Sequence, residues 1–236
     1  ISRSRTVSSP SINNTLIGNI ASSNHGAGIC VYGYSNNTTL MKNTANSNKD
    51  NGIYLFSSGN NTLTGNTVNS NNGDGIHLSS SSNNNITCNG VQKNTRNGFC
   101  LFRESTDNNI SYNNIIKNGN YNKTSGGWQW QVYNGQSTPC EVKHNYWGAG
   151  MNNTTIDAGI YVEGNYEGGV VFYPFEIYPI SGIPVTEETH TFTTADAAIA
   201  LEIASGIHEY DPLWDINRDG HVTSIDALMI LQGVVR

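Results

Sequence analysis

Positive charge, long apolar runs and cysteine are what this sequence has little of, and each shortage excludes something. With 12 Lys+Arg against 18 Asp+Glu, no basic stripe forms, so the electrostatic footprint of a nucleic-acid binder is missing. No apolar run approaches the roughly 18 residues of a spanning helix, so no membrane span is expected in this segment. The chain opens without a signal peptide, so its location must be inferred from elsewhere. Neither a phosphate-binding glycine loop nor a nucleophile–base–acid triad is recognisable. Four cysteines point to no particular compartment.

Asparagine is what the chain has in excess. Of 35 asparagines, 31 precede residue 150, and the composition changes abruptly near residue 182. Residues 183–236 hold nine acids and two bases, whereas residues 1–182 hold nine acids and ten bases. The net charge of −6 therefore belongs almost wholly to the tail. Two domains are expected, 1–182 and 183–236.

The first is a repeat. Leu16, Leu40, Leu63, Ile86 and Ile110 recur at spacings of 24, 23, 23 and 24. Asn19, Asn43, Asn66, Asn89 and Asn113 follow the same spacing, as do Asn24, Asn48, Asn71, Asn94 and Asn118. Gly28-Ile29, Gly52-Ile53, Gly75-Ile76 and Gly98-Phe99 complete the unit, with Val31, Leu55, Leu78 and Leu101 two residues on. Three short strands and their corners need about that many residues, so one unit is one coil of a parallel β-helix, stacked at the ordinary strand spacing of about 4.8 Å. Asparagine suits the corners because its amide donates to and accepts from the same position in the next coil, and because it tolerates left-handed backbone. The aliphatic positions become interior stacks. Ala21/Ala45/Val68/Val91/Ile115 is one more, ending in Trp147, and Trp128, Trp130 and Trp147 are expected to plug the C-terminal end.

The unit, closed by Asn145-Tyr146-Trp147-Gly148, resembles NosD-type β-helix repeats of the carbohydrate-binding and sugar-hydrolase class over about residues 5–180. The resemblance implies an all-β, right-handed parallel β-helix and an extracellular or cell-surface location, and fixes function far less than fold. The N-terminus opens mid-coil, with Val7 falling 24 residues before Val31. A fragment of a longer protein, or a processed one, is expected. Cys30 and Cys100 lie three coils apart, roughly 14 Å by coil spacing, beyond disulfide reach; pairing of Cys88 with Cys140 stays open. NosD proteins are associated with copper-site assembly. Here His25, His77 and His144 fall on different strands of different coils, and Met41 and Met151 are as scattered, so no soft or imidazole ligand set is expected.

Strand alternation turns Cys30, Tyr32, Tyr54, Phe56, His77, Ser79, Cys100 and Phe102 outward, and later Gln129 and Gln131. Tyr32, Tyr54, Phe56, His77 and Phe102, with Arg103 and Glu104 at the edge, are candidates for stacking on sugar rings. The alternative is that the N-terminal arm, the 119–127 insert or the tail covers them. For catalysis the repeat places Asp50 over Gly73 with Asp74 one residue off and Arg96 above. These three are the candidates for a polysaccharide lyase or glycoside hydrolase, although no third acid joins them and each reads equally as a solvated turn residue.

In the tail, Asp215-Ile-Asn217-Arg-Asp219-Gly220-His221-Val222-Thr223-Ser224-Ile225-Asp226 sets oxygen donors at loop positions one, three, five, nine and twelve. Glycine stands at six, and the His221 carbonyl supplies seven. This is a Ca²⁺ loop by ligand spacing, and an apolar helix follows. Thr194-Ala195-Asp196-Ala197 echoes Ser224-Ile225-Asp226-Ala227 thirty residues earlier. The first copy retains only Glu187, Thr193 and Asp196 as possible ligands. The tandem loop–helix units around Asp211-Pro212 resemble a dockerin over roughly residues 185–236. That resemblance implies a cohesin-type partner, met by Thr194 and Ala195 in one copy and Ser224 and Ile225 in the other. The expected function is an extracellular surface module that binds carbohydrate and docks through calcium. A polysaccharide-cleaving enzyme and a purely structural stalk are the alternatives.

Overall fold

The computed structural model describes residues 11–122, 124, 127–163, 169–185, 193–208, 214–216 and 221–234. The chain divides into two compact units, Ile1–Gly148 with Asn152–Val185, and Ala149–Met151 with Thr186–Arg236. The first is an all-parallel, right-handed β-helix, the hand that parallel crossovers adopt.

Each coil contributes one short strand to each of up to three sheets. The first sheet stacks β1 (Thr15–Ile17), β3 (Thr39–Met41), β5 (Thr62–Thr64), β8 (Asn85–Thr87) and β11 (Asn109–Ser111). The second, six strands deep, stacks β2 (Ile29–Tyr32), β4 (Ile53–Phe56), β7 (Ile76–Ser79), β10 (Phe99–Phe102), β15 (Val132–Gly135) and β17 (Ile160–Val162). The third holds β6 (Thr67–Asn69), β9 (Gly90–Gln92) and β12 (Asn114–Ile116). Register follows the repeat: Leu16 pairs with Leu40, Leu40 with Leu63, Leu63 with Ile86 and Ile86 with Ile110. Leu40, Leu63, Ile86, Val68, Val91 and Ile115 are wholly buried, each stabilising the fold by about 1.5–3 kcal/mol. Trp147 follows in the Ile115 stack and is buried as expected.

Corners are built from two residues with different tasks. The first takes a left-handed backbone: Lys42, Gly65, Cys88, Tyr112 and His144 at one corner, and Ser47, Ser70, Lys93, Lys117 and Trp130 at another. The second is the buried amide that follows it. The backbone N–H and Nδ2 of Asn43 both donate to Asn66 Oδ1, those of Asn66 to Asn89, of Asn89 to Asn113, and of Asn113 to Asn145, all at 2.8–3.0 Å. A second ladder runs Asn24, Asn48, Asn71, Asn94 and Asn118. It ends on Gln131, whose Oε1 accepts from Asn118 at 2.9 Å. Left-handed backbone thus belongs to the residue before each ladder asparagine, correcting the expectation that one residue does both. A third ladder, Thr38 to Asn61 to Asn84 to Asn108, and a serine ladder through Ser35, Ser58, Ser81 and Ser105 complete the coil.

Glycine before each inward Ile answers a close approach. A Cβ on Gly75 would lie 2.7 Å from Asn94 Nδ2 and 2.7 Å from the Gly98 carbonyl, besides striking the Val91 side chain.

After β12 the period breaks. β13 (Asn120–Asn122) and β14 (Gly127–Gln129) form an antiparallel excursion in which Trp128 packs on Tyr121 at 5.5 Å. Trp130 is 39% exposed, so neither tryptophan plugs the interior as expected. Gln131, expected outside, is buried because it takes the ladder's last rung. Beyond come β16 (Cys140–Glu141), α1 (Asn153–Asp157) and β18 (Val170–Val171). The Ile180–Pro184 segment lies back on the third sheet: Ile180 N donates to Asn114 Oδ1 at 2.8 Å, and Gln92 Nε2 to the Pro184 carbonyl at 2.6 Å.

The second unit pairs α2 (Thr194–Ala204) with α3 (Ser224–Val234). Its core is Ala197, Ala200, Ile203, Trp214, Val222, Ala227 and Ile230.

The ladders are the quantity to test. Asn71 Oδ1 accepts both N–H groups of Asn48, and its Nδ2 donates to the Ala45 carbonyl and Asn94. Asn71→Ala orphans several buried groups and should cost about 2–4 kcal/mol in urea unfolding. Asn24→Ala, at the outer rung, should cost less than about 1 kcal/mol.

Candidate ligand and metal-binding face

The outward face of the second sheet carries two rows fixed by register. One runs Cys30, Tyr54, His77, Cys100, Tyr133, Tyr161; the other runs Tyr32, Phe56, Ser79, Phe102, Gly135. At 4.8 Å between coils such rows bring rings into contact. Tyr32 stacks on Phe56 with centroids 4.9 Å apart, Tyr54 meets His77 edge-on at 5.0 Å, and Tyr133 stacks on Tyr161 at 5.5 Å. Arg103 lies 5.3 Å over the Phe102 ring, and Glu104 beside it is exposed with a left-handed backbone. Tyr32 remains 63% exposed, so the described residues leave that end of the row uncovered.

Toward the C-terminal coils the same face deepens into a cavity of about 500 Å³. Phe102, Trp130, Tyr133 and Tyr161 supply its apolar walls, and His77, Arg96, Asn97 and Cys100 its polar ones. Trp130 reaches it as the left-handed corner residue before the Gln131 rung. Tyr133 Oη donates to Glu163 Oε2 at 2.5 Å. Burial, then that bond, push its hydroxyl pKa well up, so it remains a phenol.

Asp74 organises the wall. It is wholly buried, and its Oδ1 accepts from Asn97 N at 3.1 Å and Asn97 Nδ2 at 2.7 Å. Its Oδ2 lies 2.7 Å from His77 Nδ1. Burial pushes this carboxyl up, but the bonds from His77 and Asn97 outweigh burial and hold it below its usual range. An ionised carboxylate only accepts, so His77 Nδ1 carries the proton and Nε2 is left to a ligand. Cys100 is the register partner of His77. Burial, then the Asp74 charge, drive its thiol pKa far above the ordinary value. Donor atoms of Asp74, His77 and Cys100 all lie within 4.8 Å of one another. The expectation of no gathered imidazole or soft ligands is therefore corrected: different coils are adjacent when they share a register position. A thiol, an imidazole and a carboxylate together suit copper or zinc by donor type.

Of the catalytic candidates, Arg96 lines the cavity while Asp50 is on the surface. Asp50 does sit over Gly73 and Arg96 through backbone bonds, but Asp74 is buried and committed to protein donors. The two carboxyls therefore do not form the accessible facing pair that glycoside hydrolysis uses. Tyr133, Tyr161, Trp130 and Asn97 were not foreseen. The repeat would have given Asn97, which sits 23 residues after Asp74. The tyrosines were hidden by the excursion that breaks the period.

In the helical unit, Asp215 and Asp226, the first and last loop positions, are both buried. Thr223 N and Oγ1 donate to Asp226 Oδ2 at 2.9 and 3.0 Å, and Ile216 N to Oδ1 at 2.8 Å. Thr193 makes the same pair of bonds to Asp196, so both helices open on the same threonine–aspartate contact. Two buried carboxylates at the ends of one loop fit a hard cation. His221 is exposed; Asn217 and Asp219 lie outside the described residues, as does Glu187. Ser224 and Ile225 open α3, with Ile225 exposed, and Thr194 and Ala195 open α2.

Residues 6–167 match the family described as periplasmic copper-binding protein (NosD). Among solved structures, a mutant of the periplasmic alginate epimerase AlgG is similar, with a TM-score of 0.41 and 19% identity over 70% of this chain and 43% of that one. The chain thus spans less than half the length of that protein. No curated protein matches it. The described residues contain no helix long and apolar enough to cross a membrane.

All four cysteines are free thiols, and their environments separate them. Cys30 is exposed, whereas Cys140 is buried and its thiol is pushed up to about 12. Iodoacetamide on the native protein should modify Cys30 at least about tenfold faster than Cys140, read by peptide mass spectrometry.

Proposed function

The chain belongs to the NosD family, and from that premise we propose an extracytoplasmic β-helix module that binds carbohydrate along the outward face of its second sheet. The family's description as periplasmic agrees with the location expected from the sequence. The observation that carries the binding reading is the aromatic row itself. Tyr32, Phe56 and Tyr54 present stacked and edge-on rings at one end, and Tyr133 and Tyr161 stack beside the cavity at the other. Flat apolar rings beside Arg96, His77 and Asn97 offer a sugar both a stacking surface and hydroxyl partners. Affinity electrophoresis on a panel of neutral and anionic polysaccharides tests this. At least one polymer should retard the protein, and Tyr133→Ala with Tyr161→Ala should weaken retention about tenfold. If no polymer retards the native chain, the reading is wrong.

The helical unit extends the proposal. Its loop pattern, its two buried carboxylates and the matching threonine–aspartate bonds that open both helices support a dockerin-like, Ca²⁺-ordered pair. Ile225, Leu228 and Met229 are exposed on α3, an apolar stripe suited to a cohesin-type partner. Calcium at a hundredfold excess over its Kd should stabilise this unit by about 2.7 kcal/mol. Asp215→Ala with Asp219→Ala should abolish the difference in Tm between excess calcium and EGTA. Equal Tm values for the native chain under both conditions would remove calcium from the account.

A second reading, cleavage of the bound polymer, is favoured by one observation: Asp74 orients His77 at 2.7 Å in a cavity that also holds Arg96. An imidazole fixed in this way is placed for proton transfer. Release of unsaturated or reducing ends by the native chain, lost in Asp74→Asn, would favour this reading over simple binding.

A further inference from the structure

We propose that Asp74, His77 and Cys100 form a binding site for a thiophilic d-block cation, opening on the cavity of the second sheet. The site is independent of the carbohydrate reading. Three donors of graded softness, one carboxylate oxygen, one imidazole nitrogen and one sulfur, lie within 4.8 Å of one another in largely buried positions. Sulfur and imidazole together select such ions over calcium or magnesium.

The arrangement is constructed from the fold. His77 and Cys100 are register partners on neighbouring parallel strands, so their side chains rise side by side. Asp74 enters the same face three residues before His77. Its other oxygen is pinned by Asn97 N and Nδ2, the kind of outer contact that orients a ligand. Asp74 and His77 now share a hydrogen, and the Cys100 sulfur lies within 4.8 Å of both donors. A cation takes that hydrogen's place: the imidazole proton moves from Nδ1 to Nε2 so that Nδ1 ligates, the S–H bond gives way to an S–metal bond, and the thiol proton leaves to solvent. The adjoining cavity of about 500 Å³ leaves room for a water or an exchangeable ligand at a fourth position. One carboxylate and one thiolate balance a divalent ion, and Arg96 on the cavity wall balances the remaining charge around a monovalent one. Zn(II) and Cu(I) are therefore the two ions to separate.

Metal-free full-length chain is titrated with Zn(II), and anaerobically with Cu(I), each against a chromophoric chelator with calcium in excess to saturate the C-terminal loop. We expect one equivalent of at least one ion, and the tighter of the two identifies the ion. Affinity should fall at least about 30-fold in Cys100→Ser and in His77→Ala, and about tenfold in Asn97→Ala. It should stay unchanged in Cys30→Ser, Cys88→Ser and the Tyr32→Ala/Phe56→Ala pair, which bears only on sugar binding. Should Cys100→Ser fail to fold, the native chain and Trp130→Phe decide: the bound ion must perturb Trp130 emission, a signal absent in Trp130→Phe, and must block slow alkylation of Cys100. A native chain that takes neither ion, Cys100→Ser binding as tightly as the native chain, or Cys100 alkylated equally with and without ion would each overturn the site.

Discussion

From Asn43 to Asn145 and from Asn48 to Gln131, successive described coils are held together by buried side-chain amides. A ladder asparagine such as Asn66 is fully buried, accepts twice from the coil before it and donates to the coil after it. Buried amides cost several kcal/mol unless each group is satisfied, so the row fixes vertical register as firmly as the strands do. A one-residue slip would break every rung and turn every interior aliphatic outward. The left-handed corner residues, costly on their own for Lys42, Tyr112 or Lys93, persist because the rung that follows holds the backbone in place.

The same vertical register makes the outward face chemical. Residues one coil apart become neighbours at strand spacing, so a row of six positions behaves as a short surface sequence read across coils. Tyr54 against His77, His77 against Cys100 and Tyr133 against Tyr161 are contacts of this kind. None arises from proximity along the chain.

The repeat could be read because its constraints are local and periodic: a hydrophobe, a corner and an amide at fixed offsets. Sheet register, interior stacks and two of the ladders are legible from Leu16 to Asn118 for that reason. Legibility stops at Gly119, where the excursion inserts residues that obey no period, and the tyrosines of the cavity lie beyond it. His77 and Cys100 were readable as neighbours, yet the placement of histidine and methionine alone conceals a set that mixes imidazole, thiol and carboxylate. The third ladder through Asn61, Asn84 and Asn108 went unread because its asparagines lie in short Asn runs, in which composition hides position. In the tail, ligand spacing singled out Asp215 and Asp226, and both are buried. The matching threonine–aspartate bonds at Thr193 and Thr223 needed atomic detail.

One rung shows how such a molecule can change without coming apart. Gln131 answers Asn118 across the β13–β14 detour as faithfully as Asn94 answers Asn71 across an uninterrupted coil. Its longer side chain bridges the irregularity, and the detour ends by setting Trp130 at the mouth of a hollow. Added length between two rungs is thus spent on topography: the column stays upright, and its flank acquires relief.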